Sequence, residues 1–331
     1  MAKAKRLPSG NYRTRVYVEK GKYKSFTAPT KRESEYLASQ YALNKNKYDD
    51  IDGVTIYDIV YDFIVTREPY ISPSTTRTYY HLMKHFNQFK TLKLRDFSPT
   101  KHQEWIDSIH LAPKTIKNIN GLLVSALKHH GINLKPVELP KKEYSPMQIP
   151  TTDDIRLMVN YFKDKGDSDM VIAVYLAAIG TLRRGEVCAL LPGDIDRKNN
   201  TVSITKAQVL DKNRKLVIKP PKTYSSNRVV EIPSDIIKLI PEDKVTDLNI
   251  ERLSKKFKHA MKMLDMSFTF HSLRHYSASI MHAQNIPTQY IMERGGWKTE
   301  STLNRIYRNS LDDYRKKFNE QTNNYFKKSL I

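Results

Sequence analysis

Polar and apolar residues alternate with a period of two from Asn11 to Val18 and again from Lys22 to Phe26, the spacing of strands with two unlike faces. Gly10 and the stretch from Glu19 to Lys22 mark turns, and Thr30-Lys-Arg-Glu33 reads as a capping box opening a helix to about Lys47. From Thr55 the period lengthens to that of a helix, through Phe63, and Pro73-Ser-Thr-Thr-Arg-Thr78 and Ala112-Pro-Lys-Thr115 open two more helices. Between Lys135 and Pro146, three prolines and a run of lysines break the period, as in an extended linker. Further on, Asp153 and Asp154 suit the positive end of a helix, and Asp169 to Ile179 reads as a buried one. Thr201 to Thr205, Lys215 to Lys219 and Arg228 to Ile232 read as strands, and helices follow to the end. The expected fold class is α+β and multidomain. Residues 1–50 form a small three-stranded sheet plus helix, and 54–138 are all helical. Residues 139–149 link these to a mainly helical segment, 150–331, with a small antiparallel sheet. No internal repeat or low-complexity tract interrupts this order.

Composition narrows the class of partner. With 331 residues and 39% apolar content, two or three domains can each bury a core. The net charge is +21, and the first 48 residues contribute +9 of it, from twelve Lys and Arg against three Glu. Such an excess favours a polyanion, because Lys and Arg release the counterions condensed on phosphates. Charge alone fits a ribosomal or membrane-surface protein equally well. The apolar run from Val171 to Gly180 is too short to span a bilayer, and no apolar segment of a secretory signal follows the basic start. Cys188 is the sole cysteine, which leaves no intrachain disulfide and no cysteine-based zinc site. A protein of a reducing cytosol is expected, with no membrane partner. Arg13, Arg15, Lys22 and Lys24 on the alternating strands could meet a major groove, and Thr76, Arg77, Lys84, Lys114 and Lys117 near helix starts could meet phosphates. A solvated face and ordinary capping account for the same residues.

Four clusters in the last segment carry candidate chemistry. They are Gly180-Thr-Leu-Arg183-Arg-Gly-Glu186, Pro221-Lys222-Thr-Tyr-Ser-Ser-Asn-Arg228, His271-Ser-Leu-Arg274-His275, and the stretch from Glu293 through Trp297 to Tyr307. His271 and Arg274, three apart on a helix, share a face and can converge on one anion. His271 and His275, four apart, could instead hold a metal, but the glutamate of an HExxH pair is missing and no third ligand is evident. Arg183 could equally serve as a surface ion-pair residue, and Trp297 as the anchor of a small core. A tyrosine hydroxyl has an ordinary pKa of about 10, so using Tyr307 as a nucleophile near neutral pH requires help.

Taken in order, these clusters resemble the motifs of the tyrosine recombinase, or phage integrase, family. The first departs from the family's usual Thr-Gly-Leu-Arg in exchanging its first two residues, and Trp297 stands where the family usually has histidine. The resemblance implies that Tyr307 attacks a DNA phosphate to give a 3′-phosphotyrosine and a free 5′ hydroxyl. Arg183 and Arg274 would then stabilise the transferring phosphoryl, Glu186 steady the arginines, Lys222 protonate the departing oxygen, His271 carry a proton and Trp297 donate a hydrogen bond or pack against the tyrosine helix. Tyr314 is the fallback nucleophile. No metal and no ATP or other cofactor is implied, because the bond energy is kept in the adduct.

The implied partners are core and arm attachment sites on double-stranded DNA and three further copies of the chain. An excisionase and a DNA-bending host protein are possible helpers. The first 50 residues resemble the family's arm-binding sheet domain, which favours integration of a phage or conjugative element over chromosome resolution. The tail from Leu311, with Tyr314 and Phe318 at helical spacing, would dock on a neighbouring copy or on its own domain. The rivals are a type IB topoisomerase, which shares the phosphotyrosine but swivels one duplex, and a DNA-binding regulator without catalysis.

Overall fold

Several helix starts in this chain are set by side chains that satisfy otherwise orphaned backbone donors. Thr55 and Asp58 bond reciprocally at the head of α2 (Ile56–Arg67), and Thr151 and Asp154 do the same at the head of α6 (Thr152–Asp164). The computed structural model describes the chain except residues 1–2, 20–21, 49–52, 142, 144–146, 221–226, 308–318, 325 and 328–331. Its residues divide into two compact units, Met1–Tyr70 with Tyr79–Lys142, and Ile71–Thr78 with Glu143–Ile331.

The first unit begins with strands β1 (Lys5–Arg6), β2 (Tyr12–Glu19) and β3 (Lys22–Ala28), antiparallel in that order, followed by α1 (Lys31–Tyr48). Register pairs Arg13 with Thr27, Arg15 with Ser25 and Tyr17 with Tyr23, so by strand alternation these residues share one face. The other face meets α1, where the Ser34 hydroxyl lies 2.8 Å from that of Thr14 and donates to the Phe26 carbonyl at 2.9 Å. Lys24 belongs to that second face, so the basic strand residues do not form a single stripe.

The helical part of the unit holds α2, α3 (Pro73–Leu82, whose first turns belong to the second unit), α4 (Pro99–Asp107) and α5 (Pro113–His129). Its core packs Ile56, Ile64, Phe86, Ile106, Ile119 and Leu123, each nearly inaccessible to solvent. A single such side chain contributes on the order of 1.5–3 kcal/mol by leaving water.

In the second unit, α7 (Ser168–Ala178) is apolar all round and is correspondingly surrounded by core. The short α8 (Arg184–Val187) follows it. The expected single sheet is two separate ones. Strands β4 (Ile195–Asp196), β5 (Thr201–Ile204) and β8 (Arg228–Glu231) form one sheet, and β6 (Ala207–Leu210) with β7 (Leu216–Lys219) a hairpin. The cause is burial. Val202, Ile204 and Val230 seat the first sheet on the core, whereas Leu210 alone is buried in the hairpin. Helices α9 (Ser234–Ile237), α10 (Ile250–Met263), α11 (Phe270–Ala283), α12 (Thr288–Gly295) and α13 (Glu300–Tyr307) complete the described elements. Among the described residues, no helix is long and apolar enough to cross a membrane.

Candidate active site

Three sequence clusters that lie far apart along the chain meet around the turn between α7 and α8. Gly180 fits there because a Cβ would come within 2.7 Å of Ile232 Cδ1 and the Leu176 carbonyl. The next residue, Thr181, is fully buried with φ of 61°, a left-handed conformation that costs a β-branched residue roughly 1–3 kcal/mol. The strain aims its carbonyl inward. Arg274, from α11, donates to that oxygen through Nη1 and to the Gly295 carbonyl through Nη2. The Thr181 hydroxyl lies 2.9 Å from the Arg294 carbonyl.

Arg183 caps α8 and is partly open to solvent, and its backbone N–H donates to Glu186 Oε2 at 2.8 Å. Its guanidinium donates to Glu186 Oε1 at 2.6 Å and to the Gly296 carbonyl at 3.1 Å. Glu186 also receives Arg228, at 2.8 Å from Nη2 to Oε2, with both side chains almost wholly buried. Burial alone would raise the Glu186 pKa. The hydrogen bond and charge of Arg228, then Arg183, overcome it and hold the carboxyl below its ordinary value.

The Arg-Gly-Gly-Trp turn after α12 closes this arrangement. Gly296 adopts φ 62° and ψ 45° and ends the helix, so that Trp297 N–H reaches back to the Met292 carbonyl at 3.0 Å. A Cβ on Gly295 would fall 1.8 Å from Trp297 Cζ3, so the indole lies where a side chain at 295 would otherwise be. That ring stacks on Arg274, whose guanidinium carbon is 3.9 Å from its centroid. Trp297 anchors a small core with Ala278, Ile291, Leu303 and Ile306, one of the readings its sequence allowed, and it also supports Arg274, which the sequence did not suggest.

Arg183, Glu186, His271 and Trp297 line one cleft of about 1310 Å³, together with Lys258 of α10 and Lys298. His271 is exposed at the residue level, yet its surroundings desolvate the ring. That desolvation, then the Arg274 and Arg183 charges, lowers its pKa to about 4. With two guanidiniums opposing its protonation, the imidazole is neutral at physiological pH and free to accept a proton. Its ring meets that of His275 edge to face at 4.6 Å. Burial, then the charges of Arg183 and Arg228, lowers the Arg274 pKa as well.

Tyr307 is not among the residues lining the cleft. Its ring stacks on His282, with centroids 3.7 Å apart and planes 9° from parallel. The hydroxyl is shielded from solvent and meets no partner at good hydrogen-bonding geometry, although Thr288 is near enough to act on it. Burial raises its pKa and Thr288 opposes the rise, so the phenol is less acidic here than in water. Lys222, Tyr314 and the tail residues 311–318, with 325 and 328–331, lie outside the described residues.

Elsewhere, Arg15, Lys24, Arg77, Lys84, Lys114 and Lys117 are exposed and Arg13 is half-buried. Lys22 lies in β3. Thr76 is only 3% exposed and its hydroxyl turns back toward the Ser72 carbonyl, so of the pair Thr76 and Arg77 it is the arginine that faces solvent. Sequence reasoning missed Arg228, Arg294 and the main-chain oxygens that hold the arginines. Arg228 had a signal, as the last residue of the Lys222 cluster, and Arg294 lay within the Trp297 cluster. The Thr181, Gly295 and Gly296 carbonyls had none.

The phage integrase family matches residues 150–313, the segment that contains all of this geometry. That segment belongs to the phage integrase family. Members of this family are tyrosine recombinases, which are DNA strand transferases, and the chain is an enzyme of that class. The tyrosine recombinase XerC-like protein of Caldanaerobacter subterraneus subsp. tengcongensis is 22% identical over 360 residues, covering 89% of this chain and 91% of that protein. Among solved structures, the fold resembles the Tn1549 transposon integrase in complex with a circular intermediate DNA, with a TM-score of 0.68 and 15% identity over 81% of this chain and 99% of that one. It also resembles a lambda integrase dimer bound to a core site, with a TM-score of 0.58 and 15% identity over 93% of this chain and 95% of that one. A lambda integrase tetramer bound to a Holliday junction gives a TM-score of 0.57 at 16% identity.

Proposed function

We propose that this tyrosine recombinase is the site-specific integrase of a mobile element, joining two attachment sites on DNA and, with helper proteins, separating them again. The observation that carries the reading is the convergence of Arg183, His271 and Trp297 on one cleft, with Arg274 held behind them by main-chain carbonyls. Two guanidiniums with an uncharged imidazole and an indole suit a phosphodiester, whose charge grows on its equatorial oxygens during transfer.

The reaction on these residues is a transesterification. The Tyr307 oxygen bonds to phosphorus, the bond from phosphorus to the 5′ oxygen breaks, and the 3′-phosphotyrosine retains the energy of the ester. Tyr307 gives up its phenolic proton, for which neutral His271 is the carrier, and Lys222 supplies a proton to the departing 5′ oxygen. A 5′ hydroxyl of the partner duplex then displaces the tyrosine. No metal or nucleotide enters the balance. Attack requires the Tyr307 hydroxyl to leave its place beside Thr288, so DNA binding must be accompanied by movement at α13.

Two duplexes cut on both strands need four tyrosines, hence four copies of the chain. The lambda integrase tetramer on a Holliday junction supports this count, and the Tn1549 complex with a circular intermediate supports a mobile element. We assign residues 1–50 to arm sites, 54–138 to core sites and 150–331 to catalysis. The exposed Arg15, Lys24, Arg77, Lys84, Lys114 and Lys117 are offered to phosphates.

The test is incubation of wild type and Tyr307→Phe with nicked duplexes carrying the candidate attachment sequence, in chelator and without nucleotide, read on a denaturing gel. A protein–DNA band formed by wild type and absent from the variant supports the proposal. Tight, site-specific binding with no band would point to a regulator, and relaxation of supercoils without sequence preference to a topoisomerase.

A further inference from the structure

Arg228 is buried at the start of β8 and bonds to Glu186, Thr181 and Arg294. Its Nη2 and Nη1 reach the two Glu186 oxygens at 2.8 and 3.3 Å, and Nη2 also lies 3.4 Å from the Thr181 carbonyl. Nε donates to the Arg294 carbonyl at 2.9 Å. Glu186 is the carboxylate that grips Arg183, Thr181 offers the carbonyl that Arg274 uses, and Arg294 opens the turn that carries Trp297. One planar guanidinium therefore bonds simultaneously to the supports of Arg183, Arg274 and Trp297, a task suited to its fixed fork of donors and beyond the reach of an ammonium.

We propose that Arg228 is a positioning residue, which sets the spacing of Arg183 and Arg274 by tying Glu186 to the Thr181 and Arg294 carbonyls. The inference rests on reading those two arginines as the phosphate clamp. Arg228 itself does not line the cleft, so it acts only through its neighbours.

The groups facing Glu186 are Arg183 from its own turn, Arg228 from β8, and His271 and Arg274 from α11. Without Arg228, burial would drive the carboxyl toward its neutral form, and a protonated Glu186 holds Arg183 more weakly. The loss should therefore depend on pH, which a merely structural role would not produce.

Four variants test this in the full chain, Arg228→Gln, Arg228→Lys, Glu186→Gln and the double Glu186→Gln/Arg228→Gln. Each is assayed for adduct formation from pH 5 to 8, at a temperature where circular dichroism shows it folded. In Arg228→Gln we expect adduct formation reduced by on the order of 10²-fold, the cost of a misplacement of about 1 Å, and an added decline toward acid pH. Arg228→Lys should restore the wild-type pH profile with only part of the rate. The double variant should be no slower than Glu186→Gln and lack the added acid decline.

A second readout does not need activity. Carbon NMR of the Glu186 carboxyl should show its pKa rising in Arg228→Gln and staying low in Arg228→Lys. Wild-type pH dependence in Arg228→Gln, additive losses in the double variant, or an unmoved Glu186 titration would each overturn the proposal. If wild type forms no adduct on any duplex, the recombinase reading of the cleft fails, while the Glu186 titration still decides what Arg228 holds.

Discussion

His271 combines a titratable ring with two neighbouring guanidiniums, and the sign of their effect is fixed. Its pKa is depressed to about 4, so the free protein carries a neutral imidazole there over the whole physiological range. The unfolded chain binds that proton at its ordinary value of about 6.5, so protonation opposes folding as pH falls below this point, with the full penalty reached below about 4. Proton NMR of the free protein should show one histidine titrating near 4 that disappears in His271→Gln, and an assigned value above 6 would contradict the electrostatics described for the cleft. Gly295 allows a second residue-scale prediction. Gly295→Ala forces the Trp297 ring out of its seat, and overpacking of this kind costs typically about 1–3 kcal/mol, to be read as a lower denaturant midpoint. An unchanged midpoint with unaltered tryptophan fluorescence would contradict it. Side chains whose chemistry is visible in one letter were legible: Arg183, His271, Arg274 and Trp297 stand together as their motifs implied. The main-chain oxygens of Thr181, Gly295 and Gly296, which orient the two arginines, leave no mark in composition or spacing, because every residue carries one.

At the scale of elements, strong caps and long periodic runs gave reliable starts. Thr55, Pro73, Pro113 and Asp154 stand at or beside the helix ends expected of them. Short strands were harder to read. β4 spans two residues and β6 four, too few for a period to declare itself, and the separation of β6–β7 from the main sheet depends on which residues find a core to cover. α4 begins at Ser98-Pro99, an ordinary capping pair, and is hard to see in the sequence because its few apolar positions, Trp105 and Ile106, follow late in the helix. The helical part of the first unit depends on its own core. Leu123→Ala, at a fully buried position in α5, should lower stability by about 2–5 kcal/mol, measured as a shift in the urea midpoint. A shift under about 1 kcal/mol would mean that this core is looser than the burial of Ile119 and Leu123 implies.

For the whole molecule, the charge of +21 joins binding to catalysis. If the exposed Lys and Arg residues meet phosphates, affinity for attachment DNA must fall with salt as counterion release weakens. A loss of about 10³ to 10⁵ between 50 and 200 mM is expected for six to ten contacts. A flat response, measured by fluorescence anisotropy, would leave that charge without the partner proposed for it. Catalysis adds a requirement that binding does not. In the proposed mechanism, Tyr307 leaves the His282 stack and meets a phosphate held by Arg183 and Arg274. The most direct measurement is mass spectrometry of the tryptic peptide recovered from a trapped protein–DNA adduct, with the linked strand end determined on the same sample. We predict Tyr307 joined to a 3′ phosphate, with a free 5′ hydroxyl on the released strand. A link to any other tyrosine, Tyr314 included, or to a 5′ phosphate would contradict it.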